Sequence, residues 1–227
     1  MARRYKISRR QAGFTLVELL ISMVVLSIML SIVYASFTQT SSAAAKAEAF
    51  MDLNHVSRFI ISRITDDLAS ASLFANSGNG YFIGEAGETL DSFDGARMDK
   101  ITFTGFGRRL ATPGTASDQA VISWYAVKNP GQEDTYTLMR SESFNVLAKP
   151  EDDADQSSAP AFDITDRLVS FEISYQPVSA SDTEWKDSFN SRQTRRLPTM
   201  ISVKYTLKDD DGALITRSAL IPSGESL

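Results

Sequence analysis

A glycine, an aromatic residue and, four residues after that aromatic, a carboxylate form the stretch of this chain whose spacing most clearly calls for chemistry: Gly13-Phe14-Thr15-Leu16-Val17-Glu18. Five basic residues and no acid precede it (Arg3, Arg4, Lys6, Arg9 and Arg10), and no charge follows Glu18 until Lys46. A carboxylate at the head of an apolar run is costly in lipid, roughly 2.5 kcal/mol or more. Glu18 therefore needs a counter-charge or an environment other than plain lipid. Three arrangements compete. A cleaved secretory signal would place a small-residue cut after its apolar core, but here the apolar run is long and passes without a break into a helical pattern. An uncleaved anchor fits the length and leaves Glu18 unexplained unless the side chain snorkels to the interface. A cut between Gly13 and Phe14 creates a new amino terminus four residues from Glu18. Gly13, lacking a Cβ, gives a peptidase close access to the backbone there.

The elements that must position these residues follow from hydrophobic period. The run from Phe14 to Phe37 is about 24 residues, about 36 Å as a helix, long enough to cross a hydrocarbon core of about 30 Å. Its basic flank keeps the preceding end cytoplasmic. Ala43-Ala44-Ala45-Lys46-Ala47-Glu48-Ala49 is strong helix-forming sequence. Leu53, Val56, Ile60, Ile64, Leu68 and Ala71 then recur at spacings of three and four, with Arg58, Arg63, Asp66 and Asp67 largely off that stripe. With no proline before Pro113, the pattern predicts one helix over 14–73, ended by Asn76-Ser77-Gly78-Asn79-Gly80. The period then changes. Ile101–Thr104, Val121–Val127, Thr135–Arg140, Val169–Tyr175, Ile201–Leu207 and Leu214–Leu220 read as strands. Asp-Gly between the last two signals a hairpin. A long helix is thus followed by an antiparallel β domain, an α+β chain.

Gly13-Phe14-Thr15-Leu16-Val17-Glu18-Leu19-Leu20 resembles, residue by residue, the class III leader motif of type IV pilins and type II secretion pseudopilins. The resemblance implies cleavage after Gly13 by a membrane aspartyl prepilin peptidase and N-methylation of Phe14. It implies pairing of Glu18 with the amino terminus of a neighbouring subunit in a filament. Further along, Arg58 to Ala71, with its Arg-x(4)-Arg-x-x-Asp-Asp-Leu-x-x-Ala helix, Val169 to Tyr175, Trp185, Leu197 to Val203, the Asp-Gly hairpin and Leu220-Ile221-Pro222 resemble the minor pseudopilin J family in order and spacing. That implies a pilin-like fold, with the long helix packed on an antiparallel β-sheet head. It also implies a place in a pseudopilus-tip complex with minor pseudopilins I, K and H beside the major pseudopilin, with contacts made chiefly through the helical stems. The expected divisions are 1–13 cleaved cytoplasmic leader, 14–37 membrane and filament-core helix, 38–75 amphipathic stem and 76–227 periplasmic head. The expected location is the inner membrane of a bacterium of Gram-negative type, N-terminus cytoplasmic. A minor pilin of a type IV pilus or competence system, or a single-pass anchored periplasmic binding module, are the alternatives.

Composition limits the other classes. Of 23 basic residues five lie before residue 14, leaving 18 against 28 acids, so the body carries a net −10. That argues against nucleic-acid binding, which needs clustered Lys and Arg. The chain has no cysteine, which excludes disulfides, thiol catalysis and Cys-based zinc sites. The single histidine, His55, has no marked nucleophile around it, and Gly105-Phe106-Gly107-Arg108-Arg109 is too short for a phosphate loop. Arg108-Arg109 and Arg195-Arg196 read as solvated surface. Glu151, Asp152, Asp153 and Asp155, and Asp209-Asp210-Asp211, offer hard oxygen ligands without EF-hand spacing. The first reads as a solvated loop and the second as turn chemistry. The expectation is a structural protein with no enzyme activity, cofactor, metal or small-molecule substrate. In the polar stretch Ser179–Arg196, Trp185 and Phe189 either fold back on the sheet or form a partner-contact surface.

Overall fold

The computed structural model describes residues 13–73, 80–90, 95–107, 119–132, 134–144, 160–177 and 184–223. The chain divides into two compact units, 1–48 and 49–227, and the division falls inside the first helix. That helix, α1 (Leu16–Ala69), is 54 residues long. It stops four residues short of the expected end. The last turn tightens through Ser70 N–H to Asp67 O and Ala71 N–H to Leu68 O, both 3.1 Å, and Ser72 N–H then donates to Thr104 O of a strand at 2.9 Å. Capture by the sheet ends the helix before the turn residues do. Of those, 76–79 lie outside the described residues.

Among the described residues the sheet has eight antiparallel strands: β1 (Phe82–Glu85), β2 (Lys100–Phe106), β3 (Gln119–Lys128), β4 (Tyr136–Ser143), β5 (Ala161–Gln176), β6 (Phe189–Asn190), β7 (Met200–Lys208) and β8 (Leu214–Pro222). Their order is β6-β1-β2-β3-β4-β5-β7-β8. Apart from β6, strands are hydrogen-bonded in chain order. Between β3 and β4, Gln132 N–H donates to Asn129 O at 3.3 Å around Pro130-Gly131, with Gly131 at φ +80°, a type II arrangement. The β7–β8 hairpin forms as expected at Asp209–Ala213. Asp209 Oδ1 accepts Ala213 N–H at 2.6 Å, and Gly212 takes φ +85°, which a side chain would resist.

β5 is long because it has two partners on one side. Its first half pairs with β4, with register shifts near Leu138, and its second half is bridged by Met98 at Phe171 and Lys186 at Tyr175. β7 runs along its other side. A polar knot fixes this arrangement. Buried Asp99 accepts from Ile173 N–H at 2.7 Å and Gly87 N–H at 2.9 Å, and Arg97 joins Asp99 to Asp187 at 3.3 and 2.6 Å. Burial pushes the Asp99 carboxyl up against those donors, while Arg97 holds Asp187 low.

The core lies between residues 49–69 of α1 and one face of the sheet. Leu53, Ile60, Ile64 and Leu68 are buried with Phe103, Ile122, Leu138, Phe171, Ile173, Val203 and Leu207. The architecture is α+β and pilin-like, one long N-terminal helix packed against a curled antiparallel sheet, as expected.

Candidate functional site

At the N-terminal end Gly13, Phe14 and Thr15 are non-helical and α1 begins at Leu16. Thr15 Oγ1 accepts the Glu18 N–H at 3.3 Å, and its carbonyl accepts the Leu19 N–H at 3.2 Å. Thr15 thus acts as an N-cap, and Thr-x-x-Glu has the spacing of a capping box. Glu18 sits in the first turn, exposed, where the helix dipole favours an anion. Phe14 is 80% exposed, and nothing lies within 4 Å of where a Cβ on Gly13 would stand. Neither packing nor a positive φ asks for glycine at 13. The Gly13–Phe14 bond is open, and the carboxylate stands one helical turn from it.

Every large hydrophobic residue from Phe14 to Phe37 is exposed within its unit, and α1 is long and apolar enough to cross a membrane. Several hydroxyls in and just beyond this run are satisfied by the helix itself. Ser22, Ser27 and Ser31 donate to the carbonyls of Glu18, Met23 and Ser27 at 2.7–2.8 Å, and Thr38 and Thr40 to those of Ala35 and Ser36 at 2.9 Å. They carry no unmet hydrogen-bonding demand into an apolar phase.

This segment matches the family model described as the prokaryotic N-terminal methylation motif, over residues 8–34. The chain carries that motif. It covers Gly13-Phe14, the cap, Glu18 and most of the apolar run, and it stops before the β domain. No curated protein matches the chain. The methylation motif and the pilin-like helix-on-sheet fold beyond it are consistent with the broader pilin superfamily.

A second cluster locks α1 to the sheet. Asp67, expected off the apolar stripe, is 3% exposed. Its carboxylate accepts from Arg140 Nε at 2.6 Å, Arg140 Nη2 at 3.1 Å and Trp124 Nε1 at 3.0 Å, and Arg63 approaches to 3.6 Å. Arg140 Nη1 donates to buried Glu142 at 2.8 Å. Burial would lower the Arg140 pKa, but the bonds and charges of Asp67 and then Glu142 outweigh it and hold it raised. Two acids with Arg140 and Arg63 balance in charge, which makes burial tolerable. Sequence periodicity misses this because Arg140 is 73 residues from Asp67. Nearer the start of the second unit, Tyr205 Oη donates to Ser57 O at 2.5 Å and Arg217 Nη2 to Asn54 Oδ1 at 2.6 Å.

The two loop aromatics part company. Phe189 lies on β6, 7% exposed, against Phe82 and Tyr175 at ring distances of 5.9 and 5.8 Å. It faces the core and is closed to a partner. Trp185 is 42% exposed. His55 is exposed on α1, and Asp209–Asp211 form the hairpin turn. No cluster of three or more His, Cys, Asp or Glu suited to a metal occurs among the described residues. Arg108-Arg109 and the 151–155 acids lie outside them.

Proposed function

We propose that the chain is a minor pseudopilin of the type II protein secretion system, of the J kind, part of the tip complex that primes pseudopilus assembly. The observation that carries the reading is the open Gly13–Phe14 bond with Glu18 one turn away, ahead of a charge-free exposed helix and a β-rich head. The leader, 1–13, is removed by prepilin peptidase, and Phe14 becomes the methylated amino terminus. Glu18 meets the amine of a neighbouring subunit. A buried pair of that kind needs both members, since losing one costs about 3–5 kcal/mol. The first part of α1 anchors the chain in the inner membrane, leader cytoplasmic and head periplasmic. Its partners are pseudopilins I, K and H and the major pseudopilin. They meet the face of α1 that carries Met51 and Phe59, 70% and 51% exposed, while Trp185 is a further contact.

The segments that resemble the J family support the finer assignment by packing together. Ile60, Ile64 and Leu68 of the helix share one core with Phe171, Ile173 and Tyr175 of β5 and with Leu197, Ile201 and Val203 of the C-terminal run. A minor pilin of a type IV pilus shares the N-terminal device. Genes for a secretin, an ATPase and general secretion components beside this one separate the two. N-terminal analysis of membrane-extracted protein tests the whole reading. Mature chains should begin at methylated Phe14, and Gly13→Val should block the cut. Chains still starting at Met1 in cells with a working prepilin peptidase, or full cleavage of Gly13→Val, would refute it.

A further inference from the structure

The sheet treats its two edges differently. One ends in β6, two residues long, which offers little for another strand to pair with. The other ends in β8, nine residues pairing with β7 without a bulge. The hairpin closes with Asp209 N–H to Ala213 O at 2.9 Å. Alternation along an antiparallel ladder from that pair turns Ile215, Arg217, Ala219 and Ile221 toward β7 for main-chain bonding. The N–H groups of Leu214, Thr216, Ser218 and Leu220 then face outward, on a strand where all four residues are exposed. Free edges of this length are normally blunted by charge, a mid-strand proline or a bulge. β8 has no bulge and no mid-strand proline. Its one charged residue, the exposed Arg217, is hydrogen-bonded to Asn54, and its one proline is at the end. Leu214 and Leu220, 51% and 63% exposed, stand on its outer face.

We propose that β8 is a docking strand that receives an extended segment of a neighbouring pilin-type subunit by main-chain pairing. This rests on the filament-subunit reading above. The occupant is argued from continuity. Arg217 ties β8 to Asn54, whose Nδ2 donates to Phe50 O at 2.9 Å one turn earlier on the same side of α1. Phe50 is 52% exposed and Met51 70%. Open strand edge and open apolar helix face therefore adjoin. A subunit built from a helix and a sheet supplies a complement to both, whereas a lone peptide complements only the edge.

The chain should be tested at full length in the cells that make it, with benzoylphenylalanine in place of Leu220. Light should produce an adduct with a second, different chain that itself carries the N-terminal methylation motif. Ser218→Pro removes one outward N–H at an edge position where proline is tolerated. It should lower the adduct about tenfold, the loss of roughly one hydrogen bond, whereas Ser218→Val should keep it. Amide exchange at Thr216, Ser218 and Leu220 should slow in the assembled state relative to the detergent-solubilised subunit, a readout independent of whether Ser218→Pro folds. Equal adducts from the Pro and Val variants, fast exchange after assembly, adducts only with copies of itself, or adducts with a chain lacking the motif would each overturn the proposal. If chains bearing the motif co-isolate with the wild type but no adduct forms, the β8 assignment alone fails. If none co-isolates, the filament reading itself fails.

Discussion

α1 is one helix with two chemistries. From Leu16 to Glu48 the side chains are exposed, and as far as Phe37 most of them are hydrophobic, while from Ala49 to Ala69 a single stripe is buried and the exposed remainder is largely polar apart from Phe50, Met51 and Phe59. The first part has nothing in its own unit to pack against, and its apolar surface is consistent with a single membrane-spanning segment. The second is part of a folded core. The same backbone geometry serves both, and the side-chain pattern alone decides whether a stretch of helix stabilises its own chain or waits for another. The carboxylates teach the same lesson. Asp67 is buried and met by three donors within 3.1 Å, whereas Glu18 is exposed and makes no ion pair among the described residues.

The largest effect should come from breaking the internally satisfied half. Arg140→Ala leaves Asp67 and Glu142 as buried anions and should cost about 3–5 kcal/mol. Urea unfolding of the detergent-solubilised chain, followed by fluorescence with Trp124 beside the cluster, measures it. An unchanged midpoint would mean that the network contributes nothing to holding helix on sheet. A matched pair sharpens the comparison next. Ile64→Ala should destabilise by about 2–5 kcal/mol, whereas Leu26→Ala, in the same helix, should stay within about 0.5 kcal/mol. Equal losses would erase the distinction between the halves.

A smaller effect is expected at high pH. Burial raises Tyr81 to about 12 against the opposing charge of Arg192, and burial pushes Tyr175 well up. The unfolded chain releases these protons near pH 10. Between about 10 and 12 the folded chain therefore binds more protons, and stability should fall as pH rises. Melting temperature should decline from pH 10 onward while phenolate absorbance of these rings lags until unfolding. Glu18→Ala should change folding least. It should leave unfolding and membrane insertion intact and impair secretion, so wild-type secretion from that strain would remove the assembly role proposed for it.

Much of this was legible in the sequence wherever period was sustained. The stripe from Leu53 to Leu68, the alternation in β5 and β7 and the Asp-Gly turn all specify their elements locally. β1 and β6, with four and two residues, are too short to show a period. The first half of β5 escapes because register shifts opposite Leu138 break its alternation. Asp67 escapes for a different reason: a carboxylate on a helix reads as surface until its partners on β3 and β4 are known. Phe189 likewise sits in polar sequence, and only the pairing of β6 with β1 turns it inward. At the N-terminus the residues themselves were legible, and the structure adds the Thr15 cap.

That cap has an electrostatic consequence. If the chain is cut after Gly13, one residue, Phe14, separates the new amine from the capping Thr15. A helix end already carries about half a positive elementary charge, so the ammonium would be placed against a charge of its own sign. The mature helix would begin as a concentrated cationic tip in a low-dielectric surround, with its first anion at Glu18. Two such helices brought together offset by a few residues would each place a negative group near the other's positive end. The offset between neighbours would then be set by charge alternation along the axis, before any contact between heads.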